Sequence, residues 1–427
     1  MTNPVIAHTL PNGMLVLLKE AHGAPVATSW IWYRVGSRNE SPGCTGVSHW
    51  VEHMLFKGTP QIPVGQLDRL VSRNGGVSNG FTWIDYTAYY ETLPADRIAL
   101  GLQIESDRMV NALFEEDEIE SERTVIISEL EGYANEPETW LDEAVKDAAF
   151  TQHPYRHPVI GYRADLERMS RADLYAHYQT FYVPNNAVLV LVGDFDADTM
   201  LRQAEDSFAQ LPVGPPLPPA PAAEPEPQAE RRVTVRRPGA AAYVQIGYLA
   251  PDCRNPDFAA LAILDSALSG AKSLTFMGGG TQTNRSARLY PALVERGLAA
   301  SAWSSVTPSR DSYLFELGAT ASEGVDPATV EAALIAEVTK IQQDGIAESE
   351  LARARKQMRA QVAYGGESVT NQAMQLGMWE SLDTYRRVDT LLNELASVSA
   401  DDVRRVAQAY LTERRRIVGH FVPSESA

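Results

Sequence analysis

A proline-rich stretch, PVGPPLPPAPAAEPEPQAE at 212–230, divides this 427-residue chain close to its middle. Proline at that density holds the backbone extended and removes amide donors, so the stretch reads as a stiff linker and not as a folded element. It leaves 1–211 and 231–427 as two halves of ordinary domain length. The halves echo each other. SRADLYAHYQTFY at 170–182 matches SADDVRRVAQAYL at 399–411, an offset of 399 − 170 = 229 positions. Each copy opens with a serine helix start and acidic first-turn residues. Each is followed by an apolar strand, Ala187 to Gly193 in the first and Arg416 to Phe421 in the second. A weaker echo relates GGVSNGFTWIDYTAYYETLP at 75–94 to GLAASAWSSVTPSRDSYLFELGA at 297–319. Order and spacing together predict an internal duplication.

Within the first half, HTLP and MLVLL flank Asn12-Gly13, the strongest short hairpin signal. A strand is expected from Val26 to Val35, a helix over 64–73, and a helix over 96–112. Alternation at Thr82, Ile84, Tyr86 and Ala88 predicts one more strand. Strands and helices mix without a strict βαβ rhythm. The expected fold is therefore α+β: two duplicated domains, each a mostly antiparallel sheet with helices on one face.

The chemistry is concentrated in His49-Trp50-Val51-Glu52-His53, which reads H-x-x-E-H. On a helix, His49 and His53 lie one turn apart and face the same way, so two imidazoles can grip one metal ion. Glu52 stands beside them, within reach of an activated water, in the inverted form of the H-E-x-x-H pattern. Val47, Trp50, Val51, Met54 and Leu55 surround the polar trio and Gly58 stops the helix. Buried imidazoles and a carboxylate need partners, and a metal supplies them. A catalytic zinc takes three protein ligands. His153 and His157 repeat the four-residue spacing, but Pro154 and Pro158 follow them, so the pair belongs to a loop and not to one helix turn. EEDEIESERTVIISELEGY at 115–133 reads as a helix, and Glu122 and Glu129 share one of its faces. Spacing alone leaves that face either solvated or turned toward the metal helix.

GVSHWVEHMLFKGT (46–59), GGVSNGFTWIDYTAYY (75–90), ESERTVIISELEGYANEP (120–137) and the repeated helix–strand pairs carry a resemblance over almost the whole chain. The sequence resembles the pitrilysin/insulinase-type inverzincin metallopeptidases, in the branch similar to mitochondrial processing peptidase. The resemblance implies one Zn²⁺ per chain, with Glu129 as third ligand, 129 − 53 = 76 positions after the second histidine. It implies that Glu122 orients a ligand histidine, and that Asn79, Gly80 and Phe81 hold the substrate backbone by strand addition. The plain alternative for Asn79 is an asparagine in a glycine-rich turn. The resemblance further implies that the halves close like a clam shell around a chamber. In that scheme zinc activates water, and Glu52 takes its proton and passes it to the leaving amine.

Active members also carry an arginine and a tyrosine seven residues apart in the second half, in text such as R-E-x-x-G-L-A-Y. Gly297-Leu298-Ala299 sets the register here, and the two positions are Leu293 and Ala300. Slipping the register pairs Arg296 with Trp303, which has no hydroxyl. Some members are two-chain enzymes in which a paralogue holds the pair. This chain resembles the zinc subunit, so the expected state is a heterodimer with a sister chain carrying R-x₆-Y. A non-catalytic core subunit of a larger complex is the competing expectation. Glu52, which a scaffold has no need of, favours the enzyme.

Composition narrows the remaining classes. A formal net charge of −18 argues against a nucleic-acid partner. Two distant cysteines imply no disulfide framework. No apolar run reaches the length of a membrane span. The expected location is cytoplasmic, or periplasmic if a leader has been removed.

Overall fold

The computed structural model describes residues 4–133, 135–274 and 284–424; Met1 to Asn3, part of the leader reading, lie outside them. The chain folds as two compact units. The first comprises Met1–Leu130, His157–Pro221 and Gly366–Arg386, and the second Glu131–Arg156, Ala222–Gly365 and Arg387–Ala427.

The first unit is built on a six-stranded sheet of β1 (Ile6–Thr9), β2 (Leu15–Glu20), β3 (Val26–Tyr33), β4 (Val77–Thr82), β5 (Thr87–Pro94) and β6 (Ala187–Gly193), in the order β1-β2-β6-β3-β5-β4. Only β2 and β6 pair in parallel. Its helices are α1 (Val47–Met54), α2 (Leu67–Arg73), α3 (Ala99–Asn111), α4 (Glu116–Tyr133), α6 (Arg163–Arg168), α7 (Arg171–Phe181), α8 (Ala197–Phe208) and α12 (Val369–Leu382). The second unit carries β7 (Arg231–Pro238), β8 (Tyr243–Ala250), β9 (Ala299–Val306), β10 (Tyr313–Ala321) and β11 (Arg416–Ser424), in the order β7-β11-β8-β10-β9. Its helices are α5 (Pro137–Ala149), α9 (Phe258–Ser269), α10 (Pro327–Asp344), α11 (Glu348–Tyr364), α13 (Arg387–Ser397) and α14 (Ala400–Tyr410).

The sheets repeat one plan. Omitting β1, the first order maps onto the second strand for strand, and the single parallel pair falls at the same place, β2–β6 and β7–β11. The helices that echo in sequence also match in structure. Ser170 accepts from the Asp173 amide and Ser399 from the Asp402 amide, each closing a capping box before a helix that leads into a central strand. The α+β expectation with duplicated halves holds, and 212–230 contains no helix or strand.

The units nevertheless depart from a linear division at 212–230. Helix α5, written in the first half, packs on β7, β8 and β11 of the second unit. Helix α12, written in the second half, packs on β3 and β6 of the first. This adds a layer to what sequence predicts as helices on one face. Strand β6 is buried at every position, because both its faces are covered. In β3, Ile31 and Tyr33 join the main core, while Trp30 and Trp32 point to the α12 side. Trp30 stacks on Tyr90 at 4.3 Å and on Trp32 at 5.5 Å between ring centroids. Gly377 of α12 lies directly on the Trp32 indole; a Cβ there would overlap the ring.

Two local expectations change. The β1–β2 hairpin forms around Asn12-Gly13, but the strands pair from Thr9↔Leu15, so the connection is the longer segment 10–14. The alternation from Thr82 to Ala88 is not one strand. The chain turns at 83–86, closed by a Trp83 N–H to Tyr86 C=O bond of 2.8 Å, and β4 and β5 form a hairpin. Buried Asp85, 3.7 Å from Arg38, stabilises the turn where periodicity alone reads on.

Candidate metal centre

The H-x-x-E-H segment forms α1, and its apolar residues explain its pose. Val47, Trp50, Val51 and Met54 are buried in the core of the first unit, which leaves the histidines on the opposite face. The helix starts at Gly46, held at φ 87°, a conformation glycine adopts without cost. Gly46 has no side chain to cap the first turn. Glu40 does so from six residues upstream, accepting the amides of Gly46 at 2.8 Å and Ser48 at 2.9 Å. Burial pushes the Glu40 carboxyl up to about 8, against those same hydrogen bonds. Asp165 fixes the approach by accepting the Thr45 amide and, at 2.7 Å, its hydroxyl.

His49 Nε2 and His53 Nε2 stand 3.3 Å apart. Glu129 Oε2, from α4, lies 3.8 Å from the first and 3.9 Å from the second. These three residues are the one cluster of metal-capable groups found among the described residues. Ligand atoms about 2.0–2.1 Å from a tetrahedral zinc would sit roughly 3.3 Å from one another, so the triangle needs only a small contraction at Glu129 to close on an ion. The donor set fits as well. His53 Nδ1 is 2.7 Å from Glu122 Oε1, so with that nitrogen donating, Nε2 turns a bare lone pair inward. Burial, then the neighbouring His53, pushes His49 down to about 3, which keeps it in the neutral, ligating form. For His53, burial pulls downward, but the Glu122 hydrogen bond and the charges of Glu52, Glu122 and Glu129 outweigh it and raise the pKa.

Glu122 is itself anchored. Lys57 Nζ lies 2.5 Å from its Oε2 and 3.7 Å from Glu118. Burial works to raise the Glu122 pKa, and the hydrogen bonds from His53 and Lys57 lower it below the ordinary carboxylate value. An ionised Glu122 holding the imidazole N–H raises the ligand's basicity. Glu122→Gln is expected to weaken zinc affinity by about 10–100-fold while the fold persists. Competition against a chromophoric chelator measures this, and an unchanged affinity would remove Glu122 from the centre.

Glu52, on the same helix as the two histidines, is 8% exposed. Burial pushes its carboxyl up to about 7, against the opposing pull of His53 and Thr82. A carboxyl at that value can both take and return a proton near neutral pH.

Asn79, Gly80 and Phe81 lie on β4, the edge of the sheet. Asn79 is exposed, and its Oδ1 accepts the Gly80 amide at 2.9 Å. Phe81 turns its ring to Trp32, 5.7 Å away, so its side chain serves the core and only its backbone lies along the edge. His153 and His157 take no part in the triangle: His153 pairs with Asp311 at 3.1 Å, and His157 lies 3.6 Å from Glu40. In the second half, Leu293 is fully buried and Ala300 is an exposed small residue. Sequence reasoning missed Glu40, Thr82 and Lys57. Lys57 lies three residues past the end of α1, so helical periodicity does not place it beside Glu122. The other two act through tertiary register, which leaves no local pattern.

Two family models match the chain. The first, described as insulinase (peptidase family M16), covers residues 15–163, and the second, described as the peptidase M16 inactive domain, covers 168–358. The chain belongs to the M16 peptidase family. An uncharacterised zinc protease of Mycobacterium tuberculosis is 28% identical over 95% of this chain and 90% of its own length. The zinc protease PqqE of Helicobacter pylori is 26% identical over the same shares. A probable mitochondrial-processing peptidase subunit beta of Arabidopsis thaliana is 28% identical over 95% of the chain and 76% of its own length. Among solved structures, a protease from Helicobacter pylori superposes with a TM-score of 0.93 at 24% identity, covering 99% of this chain and all of its own. At that identity the likeness speaks for the fold. Within the family's two-domain plan, the H-x-x-E-H motif lies in the first matched model and has no counterpart in the second. Among the described residues no helix is long and apolar enough to cross a membrane.

Proposed function

We propose that this chain is the zinc-bearing subunit of an endopeptidase that hydrolyses peptides or unfolded polypeptides. The observation that carries the reading is the His49–His53–Glu129 triangle with Glu52 buried beside it. Zinc, when bound by those three side chains, supplies Lewis acidity toward a peptide carbonyl and toward water. Glu52 accepts the proton that water loses on attack and delivers it to the departing amine. Glu122 holds His53 in its ligating tautomer. The exposed edge of β4 can take an extended peptide as an added strand, which presents the backbone of an unfolded segment and not of a folded protein.

The second half argues for a partner. Leu293 is a core side chain and Ala300 has no donor, so neither position offers a group to the carbonyl oxygen as charge develops on it. Stabilising that charge is commonly the largest catalytic contribution. We infer that a related chain carrying R-x₆-Y supplies the missing groups. The pure zinc-loaded chain is expected to cleave a quenched, unstructured peptide at least about 100-fold more slowly than the mixture with such a chain. Full activity of the pure chain would remove the partner from the proposal. Absence of cleavage by every combination would favour a core subunit without catalysis.

A further inference from the structure

The duplication that relates the two sheets fixes which of their positions correspond. Matching Ala187 with Arg416, the starts of the echoed strands β6 and β11, sets Trp30, Trp32, Tyr90 and Phe81 of the first unit against Gln245, Gly247, Gly318 and Ser305 of the second. In the first unit the four rings pack together: Trp30 stacks on Tyr90 at 4.3 Å, and Phe81 stands edge-on to Trp32 at 5.7 Å. In the second unit those rings are gone. Residues of α5, β8, β9 and β10 there line a cavity of about 600 Å³. Its wall combines Trp303 and Tyr243 with the polar side chains of Asp142, Gln245, Ser305 and Glu316. The Trp303 indole lies on Gly318, where a Cβ would overlap the ring.

The charges around this cavity do not balance. Lys146 of α5 is held by Asp142 at 2.7 Å. Glu316 is 8% exposed, and its hydrogen bonds come from neutral groups, Gln245 Nε2 at 2.9 Å and the Ser305 hydroxyl at 3.4 Å. The same Gln245 nitrogen also donates to Asp142 at 3.0 Å, so one amide is shared between two carboxyls. Burial, and then the Asp142 charge, push the Glu316 carboxyl up to about 7, and Lys146 offsets only part of this. A buried carboxylate without a cation of its own is destabilising, and a cation entering the cavity would relieve it. We propose that this cavity binds a small organic cation with a flat charged head, an amidinium or guanidinium on an apolar body, held by Glu316 and the Trp303 ring. A planar fork of N–H donors matches a carboxylate in two hydrogen bonds, and an indole face attracts the charge. The volume is that of a small-molecule pocket, roughly 300–1,000 Å³, so the occupant is a free molecule and not one side chain of a polypeptide. The site lies wholly in the second unit and is independent of the function proposed above.

The test is a calorimetric titration of the full chain at about pH 8, above the value to which Glu316 is raised, so that its carboxylate is charged. Benzamidine is the probe, and benzamide is its neutral isostere. Benzamidine is expected to bind at least about 10-fold more tightly than benzamide. Glu316→Gln is expected to weaken benzamidine binding by about 10-fold, and Trp303→Leu by about 5-fold. Ser305→Phe puts back the ring that Phe81 supplies in the first unit, and is expected to fill the cavity and abolish binding. Glu316→Gln, a change of equal volume, keeps the test decisive if the Ser305→Phe chain unfolds. An unstructured peptide with a single arginine carries the same kind of charged head and is expected to bind more weakly than benzamidine. The reverse order would overturn the assignment to a free molecule. Equal binding of benzamidine and benzamide, or a benzamidine affinity unchanged in both Glu316→Gln and Trp303→Leu, would overturn the site itself.

Discussion

Glu52→Gln is expected to leave the zinc in place and reduce peptide cleavage by about 1,000-fold or more. Glutamine keeps the volume of this buried side chain, so the pocket stays filled. It cannot take a proton, and general base catalysis of this kind contributes roughly 10²–10⁴-fold. Glu52 is not one of the three clustered ligands, so metal content measured by mass spectrometry should remain at one ion per chain. The pairing of the two measurements gives the test its force. Loss of zinc together with activity would make Glu52 a structural member of the centre. Retained activity with retained zinc would move the base elsewhere. If cleavage needs a related chain, as proposed, the wild-type reference includes it, since without it the difference would be compressed from above.

The second large effect is on folding. Gly377→Val is expected to lower the melting temperature by about 10 °C. The α12 helix crosses β3 with Gly377 directly over the Trp32 indole, and any Cβ would overlap the ring. Trp32 cannot yield, because Trp30 and Phe81 pack against it and it is fully buried. Overpacking of this kind costs about 1–3 kcal/mol and sometimes more, and in a unit of this size each kcal/mol moves the transition by about 2–4 °C. Gly23→Ala is the control, since nothing lies within 4 Å of a Cβ at that exposed loop position. Scanning calorimetry showing equal, small shifts for both variants would mean that α12 is not packed on β3 as described.

How much of this was legible beforehand differs from residue to residue, for physical reasons. His49, Glu52 and His53 lie within one helical turn, so their convergence follows from 3.6-residue geometry and can be read from five letters. Glu122 and Glu129 could be placed on one helical face but not aimed, because periodicity fixes a face relative to its own helix and not to a neighbour. The Thr82–Ala88 alternation misled for a related reason. A tight turn between two strands conserves the parity of apolar residues, and its buried stabiliser, Asp85, carries no turn signal without Arg38 beside it. The linker was legible as a linker, but which sheet α5 and α12 cover was not. An amphipathic helix advertises that it will be buried and says nothing about the partner. Glu40 is the clearest case of an unreadable role. It caps a helix from six residues away, across a turn, with no capping box in the text.

The reciprocal placement of α5 and α12 has a consequence for how such a molecule can change over generations. A half that carries no H-x-x-E-H motif would, in a simple tandem duplication, be free to decay or be deleted. Here that half encodes the helix that closes the Trp30–Trp32 face of the metal-bearing unit, and the first half encodes the helix that closes β8 and β11 of the other. Neither gene segment specifies a finished hydrophobic core. The two copies are bound to a common inheritance, and the second can lose its chemistry without ever becoming dispensable.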